Sequence, residues 1–142
     1  MKLRGNCPAK VDEKGRLKIP AVFLDELKEY GTSFYITSTR GESARIYPLT
    51  VWGAIEDRLA GKDNTKEKRK FLMATSYYGQ VAELDAQGRV LLPAVLREKA
   101  VLKGDVAVLG ISEYLEVVND ARVVDQMEKT PLTDEEEDAL GI

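Results

Sequence analysis

One peptide occurs twice in this chain of 142 residues. Residues 12–22 read Asp-Glu-Lys-Gly-Arg-Leu-Lys-Ile-Pro-Ala-Val, and residues 85–95 read Asp-Ala-Gln-Gly-Arg-Val-Leu-Leu-Pro-Ala-Val. Two copies of one long pattern indicate that a structural unit has been duplicated. Each half of the chain holds roughly 70 residues, which is near the lower limit for an independent hydrophobic core. We therefore expect each unit to pack against the other or against another chain.

Each copy of the peptide predicts a β-hairpin followed by a short helix. Asp12 and Asp85 suit the first position of a tight turn, where the carboxylate accepts hydrogen bonds from the turn's own amides. Gly15 and Gly88 suit the last position, where a positive φ lets the chain re-enter the sheet. The proline that follows each returning strand is favourable in the first turn of a helix.

Composition divides the chain into four predicted segments. These are a first unit over 1–60, a linker and helix over 61–78, a second unit over 79–130 and an acidic C-terminal tail over 131–142. Within the units, the pattern predicts strands over 7–11 and 105–109 and helices over 21–27 and 94–99. A capping-box pattern that begins at Thr133 predicts one helical turn in the tail, with a mobile tail as the alternative.

The composition argues against catalysis and against metal binding. The chain has no histidine and a single cysteine, Cys7, which excludes zinc sites built from Cys and His and nucleophiles activated by histidine. We therefore predict no catalytic residue, no metal and no cofactor. No apolar run reaches the roughly 18 residues of a membrane span, and the first residues do not resemble a signal peptide. We expect a cytoplasmic protein with no membrane partner.

The charge is distributed unevenly along the chain. The net charge is −3, but residues 120–142 carry two basic and eight acidic side chains, so residues 1–119 are net positive. Around the first turn, residues 4–18 carry five basic and two acidic side chains, whereas residues 77–91 around the second carry one and two. If the chain binds a polyanion, the first hairpin should therefore dominate the attraction.

The candidate functional residues are the arginines that follow the two turn glycines. Arg16 and Arg89 occupy strand positions whose neighbours on either side point to the opposite face, so both should point outward at the mouth of a hairpin. A fixed, exposed guanidinium suits contact with phosphate or with the edge of guanine. The alternative is that each arginine only pairs with a neighbouring acid. The predicted DNA-binding residues are Arg4, Lys10, Lys14, Arg16, Lys18, Arg89 and Arg97, the last of which would assist Arg89 in the second unit.

The doubled motif resembles the MraZ family of bacterial regulators, which contain two SpoVT/AbrB-like units. The resemblance rests on Leu3-Arg-Gly-Asn, on residues 11–21 and on residues 83–97, and extends from about residue 3 to residue 129. It implies an α+β fold, mainly β, in which two swapped-hairpin units form a pseudo-dimeric β-barrel with flanking helices. Family members commonly have an arginine shortly after the helix begins; Arg97 supplies it in the second unit, but Leu24 stands there in the first.

The same resemblance implies a function. Family members assemble into rings, lie in the cytoplasm and nucleoid, and bind double-stranded DNA at direct repeats upstream of the cell-division and cell-wall gene cluster. We therefore expect a sequence-specific transcriptional regulator that acts as a homo-oligomer. The alternative is a non-enzymatic protein-interaction module of antitoxin type, which would use its acidic tail against a basic partner.

Overall fold

The computed structural model describes residues 1–142, which form eight strands, six α-helices and one 3₁₀ turn at Lys28–Tyr30. The strands are β1 (Leu3–Val11), β2 (Arg16–Lys18), β3 (Ser33–Thr37), β4 (Ala44–Pro48), β5 (Gln80–Glu83), β6 (Arg89–Leu91), β7 (Gly104–Ser112) and β8 (Tyr114–Val118). The helices are α1 (Ala21–Leu27), α2 (Leu49–Ala60), α3 (Lys66–Tyr77), α4 (Ala94–Lys99), α5 (Asp120–Lys129) and α6 (Asp134–Ala139). The fold is therefore α+β and mainly β, as predicted.

All eight strands form one antiparallel sheet in the order β5-β3-β4-β8-β7-β1-β2-β6. β1 of the first unit pairs with β7 of the second, and β5 of the second unit pairs with β3 of the first. Each unit thus lends its first strand to the other. The two terminal strands of the sheet, β5 and β6, are joined by the second turn, so the sheet is a nearly closed barrel. The predicted swapped-hairpin, pseudo-dimeric barrel is confirmed.

The β2–β6 pair shows the pseudo-two-fold relation between the units. Leu17 lies opposite Val90, and these residues occupy the same position in the two copies of the repeat. The amide of Ile19 donates to the carbonyl of Gly88 at 3.0 Å, and the amide of Leu92 donates to the carbonyl of Gly15 at the same distance. The duplicated peptides therefore pack against each other at the centre of the molecule.

The interior of the barrel holds one hydrophobic cluster of 20 buried residues. Leu17 and Val90 are among its most enclosed members, with 0% and 1% exposure, because alternate residues of a strand face the same side. Pro20 and Pro93 cap α1 and α4 at their N-termini, which sets each short helix against the barrel with Leu27 or Leu96 buried.

The predicted bounds of β1 and β7 were too short. β1 begins at Leu3 rather than at residue 7, and β7 runs from Gly104 to Ser112 rather than over 105–109. The physical reason is their mutual pairing, which continues without interruption from Val11 opposite Gly104 to Leu3 opposite Ser112. Each strand supplies the hydrogen bonds that extend the other.

The acidic tail contains the short helix α6. Thr133 and Glu136 form the capping box that the sequence predicts, and α6 buries no side chain. None of the six helices is long and apolar enough to cross a membrane.

Candidate nucleic-acid interface

The outward side of the β2–β6 pair gathers the two arginines of the repeat. Arg16 lies opposite Leu91 and Lys18 lies opposite Arg89, and because Leu17 and Val90 between them point inward, these four side chains share the outer surface. We call this surface the β2–β6 face. The side chains of Arg16 and Arg89 are 33% and 25% exposed, less than the sequence suggested, while Lys18 is exposed.

The first turn holds Arg16 by a network centred on Asp12. Asp12 Oδ1 accepts hydrogen bonds from the amides of Lys14 at 3.0 Å and Arg16 at 2.9 Å, and Oδ2 accepts from Arg16 Nε at 2.8 Å. The amide of Gly15 donates to the carbonyl of Asp12 at 2.9 Å, with Gly15 at a φ of +85°. That left-handed conformation is one that glycine adopts without steric cost.

The second turn repeats this network around Asp85. Its Oδ1 accepts from the amides of Gln87 and Arg89, both at 2.9 Å, and its Oδ2 accepts from Arg89 Nε at 2.9 Å. Gly88 has a φ of +77°. The same sequence pattern therefore produces the same local structure in both units, and it fixes the direction of each guanidinium.

The aspartates occupy only one edge of each guanidinium. Arg16 and Arg89 donate from Nε, and their terminal nitrogens form no hydrogen bond within the chain. Because no buried side-chain nitrogen or oxygen lacks a partner, these terminal nitrogens must reach solvent. The pairing of each arginine with a neighbouring acid therefore uses Nε. The terminal nitrogens remain available to a ligand.

The fold brings the two guanidinium groups side by side. Arg89 Nη1 lies 3.9 Å from Asp12 Oδ2, the same oxygen that accepts the hydrogen bond from Arg16 Nε at 2.8 Å. The sequence alone predicts two separate hairpins, each with its own arginine. The structure instead forms one cationic pair, since β2 and β6 are neighbours in the sheet.

Arg97, which the sequence places in the second unit with Arg89, lies over the first turn. Its Nε donates to the carbonyl of Leu92 at 3.2 Å, and a Cβ on Gly15 would clash with its guanidinium. Leu24, the equivalent residue of the first unit, lies over Gly88 in the same way, with Cδ1 3.1 Å from such a Cβ. Each helix thus packs on the other unit's turn, and Arg97 adds its charge to the first hairpin.

The remaining predicted cations lie at different distances from the pair. Lys14 in the first turn and Lys18 on β2 are exposed beside it. Lys10 on β1 is 83% exposed, with Nζ 3.9 Å from Asp105 Oδ1. Arg4 is exposed on β1, six positions before Lys10, which places it about 20 Å farther along the strand. Arg4 is therefore remote from the cationic pair.

The arginines hold the pKa of both turn aspartates below its ordinary value. For Asp12 and for Asp85, the largest cause is the hydrogen bond from the backbone amide of the arginine; partial desolvation opposes it, and the hydrogen bond from the guanidinium reinforces it. Each turn therefore favours a charged carboxylate, which in turn orients the cation above it.

Asp12→Asn combined with Asp85→Asn should change how stability depends on pH. A lowered folded-state pKa means that the unfolded chain binds more protons below the ordinary aspartate pKa of about 3.9, so stability rises with pH through that window. We expect wild type to exceed the variant in unfolding free energy at neutral pH and to lose this advantage as the pH falls below about 4. Urea unfolding at a series of pH values measures the difference.

The matched control is Asp57→Asn, which alters an exposed aspartate on α2. It measures how the loss of an exposed carboxylate outside the turns affects the unfolding free energy over the same pH range. If the difference in unfolding free energy between wild type and the turn variant did not change with pH, the assigned role of the two carboxylates would be contradicted.

Comparison with known proteins identifies relatives across the chain. The family model described as "MraZ protein, putative antitoxin-like" matches residues 79–141. A protein of Acidobacterium capsulatum named "Transcriptional regulator MraZ" is 52% identical over 140 residues, which cover 97% of this chain and 96% of that protein. The proteins of the same name from Koribacter versatilis and Moorella thermoacetica are 44% and 37% identical, over 97% and 79% of this chain and 96% and 77% of their own lengths.

Proposed function

This chain belongs to the MraZ family and is a transcriptional regulator, and we propose that it regulates by binding double-stranded DNA through the β2–β6 face. The observation that carries the proposal is the cationic pair of Arg16 and Arg89. Both guanidinium groups are oriented by a turn carboxylate, both have terminal nitrogens that form no hydrogen bond within the chain, and both lie on one outward surface.

The geometry suits recognition because the arginines are ordered before DNA arrives. A guanidinium fixed at Nε presents its terminal nitrogens as a fork, which can bind two phosphate oxygens or the O6 and N7 atoms of guanine. Less side-chain entropy is then lost on binding. Lys14, Lys18 and Arg97 surround the pair and supply further charge toward the phosphate backbone. In this proposal, Asp12 and Asp85 are positioning residues.

A single β2–β6 face is small, so we propose that several chains bind together. In a homo-oligomer such as a ring, neighbouring faces would engage successive direct repeats, and linkage would raise the overall affinity through effective concentration. The proposed target is promoter DNA upstream of the cell-division and cell-wall gene cluster. The proposed location is therefore the cytoplasm, at the nucleoid.

Titration of a labelled duplex that carries these upstream repeats tests the proposal. We expect tighter binding to this duplex than to a shuffled duplex of equal composition, measured by fluorescence anisotropy. The logarithm of the affinity should fall linearly with the logarithm of the salt concentration, with a slope of about −0.9 for each phosphate contact. Equal affinity for both duplexes would reject sequence specificity, and an affinity insensitive to salt would reject the cationic face.

The acidic tail supplies the test of the interaction-module alternative. Residues 131–142 carry five acidic and no basic side chains, and α6 buries none of its side chains. Deletion of 131–142 should leave DNA binding intact or strengthen it, because it removes negative charge. If the chain instead acts through its tail on a basic partner, the deletion would abolish binding to that partner.

A further inference from the structure

The duplication provides an internal comparison between α2 and α5. Each helix follows the second β-hairpin of its own unit, β3–β4 before α2 and β7–β8 before α5. α2 packs on its sheet through Trp52, which is 4% exposed and stacks on Tyr35 at 4.9 Å between ring centroids. α5 buries no side chain at all. The helix at this position is therefore anchored by an apolar contact in the first unit but not in the second.

Beneath α5 lies a polar cavity of about 550 Å³. It is bounded by α5, by the outer surface of β4 and β8, and by the loop that joins β3 to β4. Only two of its 15 lining residues are hydrophobic, and four of them are basic. In the barrel, the β4–β8 pair lies opposite the β2–β6 pair, so this cavity is separate from the proposed DNA-binding surface.

Three arginines of the cavity form no close ion pair, although Glu116 lies opposite Arg45 in the β4–β8 pairing. Arg45 is half-buried, with its guanidinium 5.2 Å from the centre of the Tyr114 ring and Nη1 3.5 Å from the Tyr47 hydroxyl. Arg122 donates to the carbonyl of Lys99 at 3.0 Å, and Arg40 is exposed. No carboxylate oxygen lies within 4.0 Å of any of the three.

Of the three carboxylates that line the cavity, two are engaged and the third, Glu42, is exposed. Glu116 accepts a hydrogen bond from the Ser43 hydroxyl at 2.9 Å, and Asp125 pairs with Lys129 at 2.9 Å. The lining carries four basic and three acidic side chains, so its charge is only slightly positive, but none of the three arginines forms a close ion pair with a carboxylate. Three guanidinium groups without a close ion pair, around a partly open polar cavity, favour an anion as its occupant.

We propose that this cavity binds a small organic anion with two or more carboxylate or phosphate groups, held by Arg40, Arg45 and Arg122. Its volume lies within the range of about 300–1,000 Å³ that is typical of small-molecule sites. The ligand would bridge the β3–β4 loop to α5, and so it would fix a helix that has no apolar anchor. The site is independent of DNA binding and gives the regulator a place for an effector.

Thermal unfolding with citrate and with pyrophosphate tests the proposal, each anion at an ionic strength matched with sodium chloride. We expect a saturable rise in Tm of about 5 °C at ten times Kd for the anion that fits. Amide hydrogen exchange over 120–129 should slow in parallel. A response to citrate alone assigns a polycarboxylate, and a response to pyrophosphate alone assigns a phosphorylated ligand. No saturable response to either probe at millimolar concentration overturns the proposal.

Substitutions locate the binding site. Arg40→Gln should lower the affinity for the anion about tenfold. It alters an exposed side chain, so its loss does not threaten folding. Arg45→Gln should weaken it at least as much, whereas Arg58→Gln on the exposed surface of α2 should have no effect. The combined Arg16→Ala and Arg89→Ala variant should keep the response. If the response survives in Arg40→Gln and Arg45→Gln, or is lost with the β2–β6 arginines, the anion binds elsewhere and the proposal fails.

Discussion

Arg16→Ala combined with Arg89→Ala should weaken binding to the repeat-bearing duplex by at least about thirtyfold. An arginine that forms a bidentate contact with DNA contributes about 1–3 kcal/mol, and the two lie on the same face, so both contacts are lost from the same complex. The loss in an oligomer would be larger, because every chain that engages the DNA carries the change. Fluorescence anisotropy at fixed salt measures the effect.

The structure offers matched controls for this experiment. Arg58→Ala removes an exposed arginine from α2, which is remote from β2 and β6, and should leave the affinity unchanged. Circular dichroism and urea unfolding should show that the double variant remains folded, because each turn keeps the backbone hydrogen bonds that Asp12 and Asp85 accept. A folded double variant with wild-type affinity would reject the assignment of the β2–β6 face.

Local structure in this chain could be predicted from the repeat. The Asp-x-x-Gly-Arg turn depends on contacts within five residues, and proline fixes where the following helix starts. Accordingly, α1 over Ala21–Leu27 and α4 over Ala94–Lys99 have the predicted bounds. The duplication itself also indicated that each unit would need a partner, either the other unit or another chain.

The relations between the units could not be read from the residues alone. Arg97 and Leu24 hold equivalent positions in the repeat, yet each lies over the turn of the other unit, because the units exchange strands. The meeting of Arg16 and Arg89 at one carboxylate oxygen depends on the β2–β6 register in the same way. Sequence periodicity reports which face of a strand is buried, but it does not report which strand lies beside it.

The two equivalent helices α2 and α5 differ in burial although both have apolar residues at helical spacing. On α2, Val51, Trp52, Ile55 and Leu59 recur at helical spacing, and Trp52 is buried. The equivalent helix α5 is also amphipathic, with Val124 and Met127 on one side, but both are exposed, at 41% and 57%. Amphipathic spacing predicts that a helix forms, but it does not determine whether the apolar side of that helix is buried.

Trp52→Ala should destabilise the protein by about 3–5 kcal/mol, a large part of the 5–15 kcal/mol typical of a domain. The indole lies among three rings, with centroid distances of 4.9 Å to Tyr35, 5.0 Å to Tyr47 and 6.2 Å to Phe71. Its removal leaves a cavity and takes away the ring on which Phe71 of α3 stacks, while Tyr35 and Thr37 still donate hydrogen bonds to the carbonyl of Thr75 in α3. Urea unfolding measures the change in free energy.

Val124→Ala on α5 is the control that the duplication provides. It truncates an apolar side chain on the equivalent helix, yet because Val124 is exposed it should change the free energy of unfolding by no more than about 0.5 kcal/mol. The contrast between the two substitutions tests whether α2 alone is anchored by apolar packing. A loss below about 1 kcal/mol in Trp52→Ala, or a comparable loss in both variants, would show that the two helices pack alike. It would also remove the asymmetry from which the anion site under α5 is inferred.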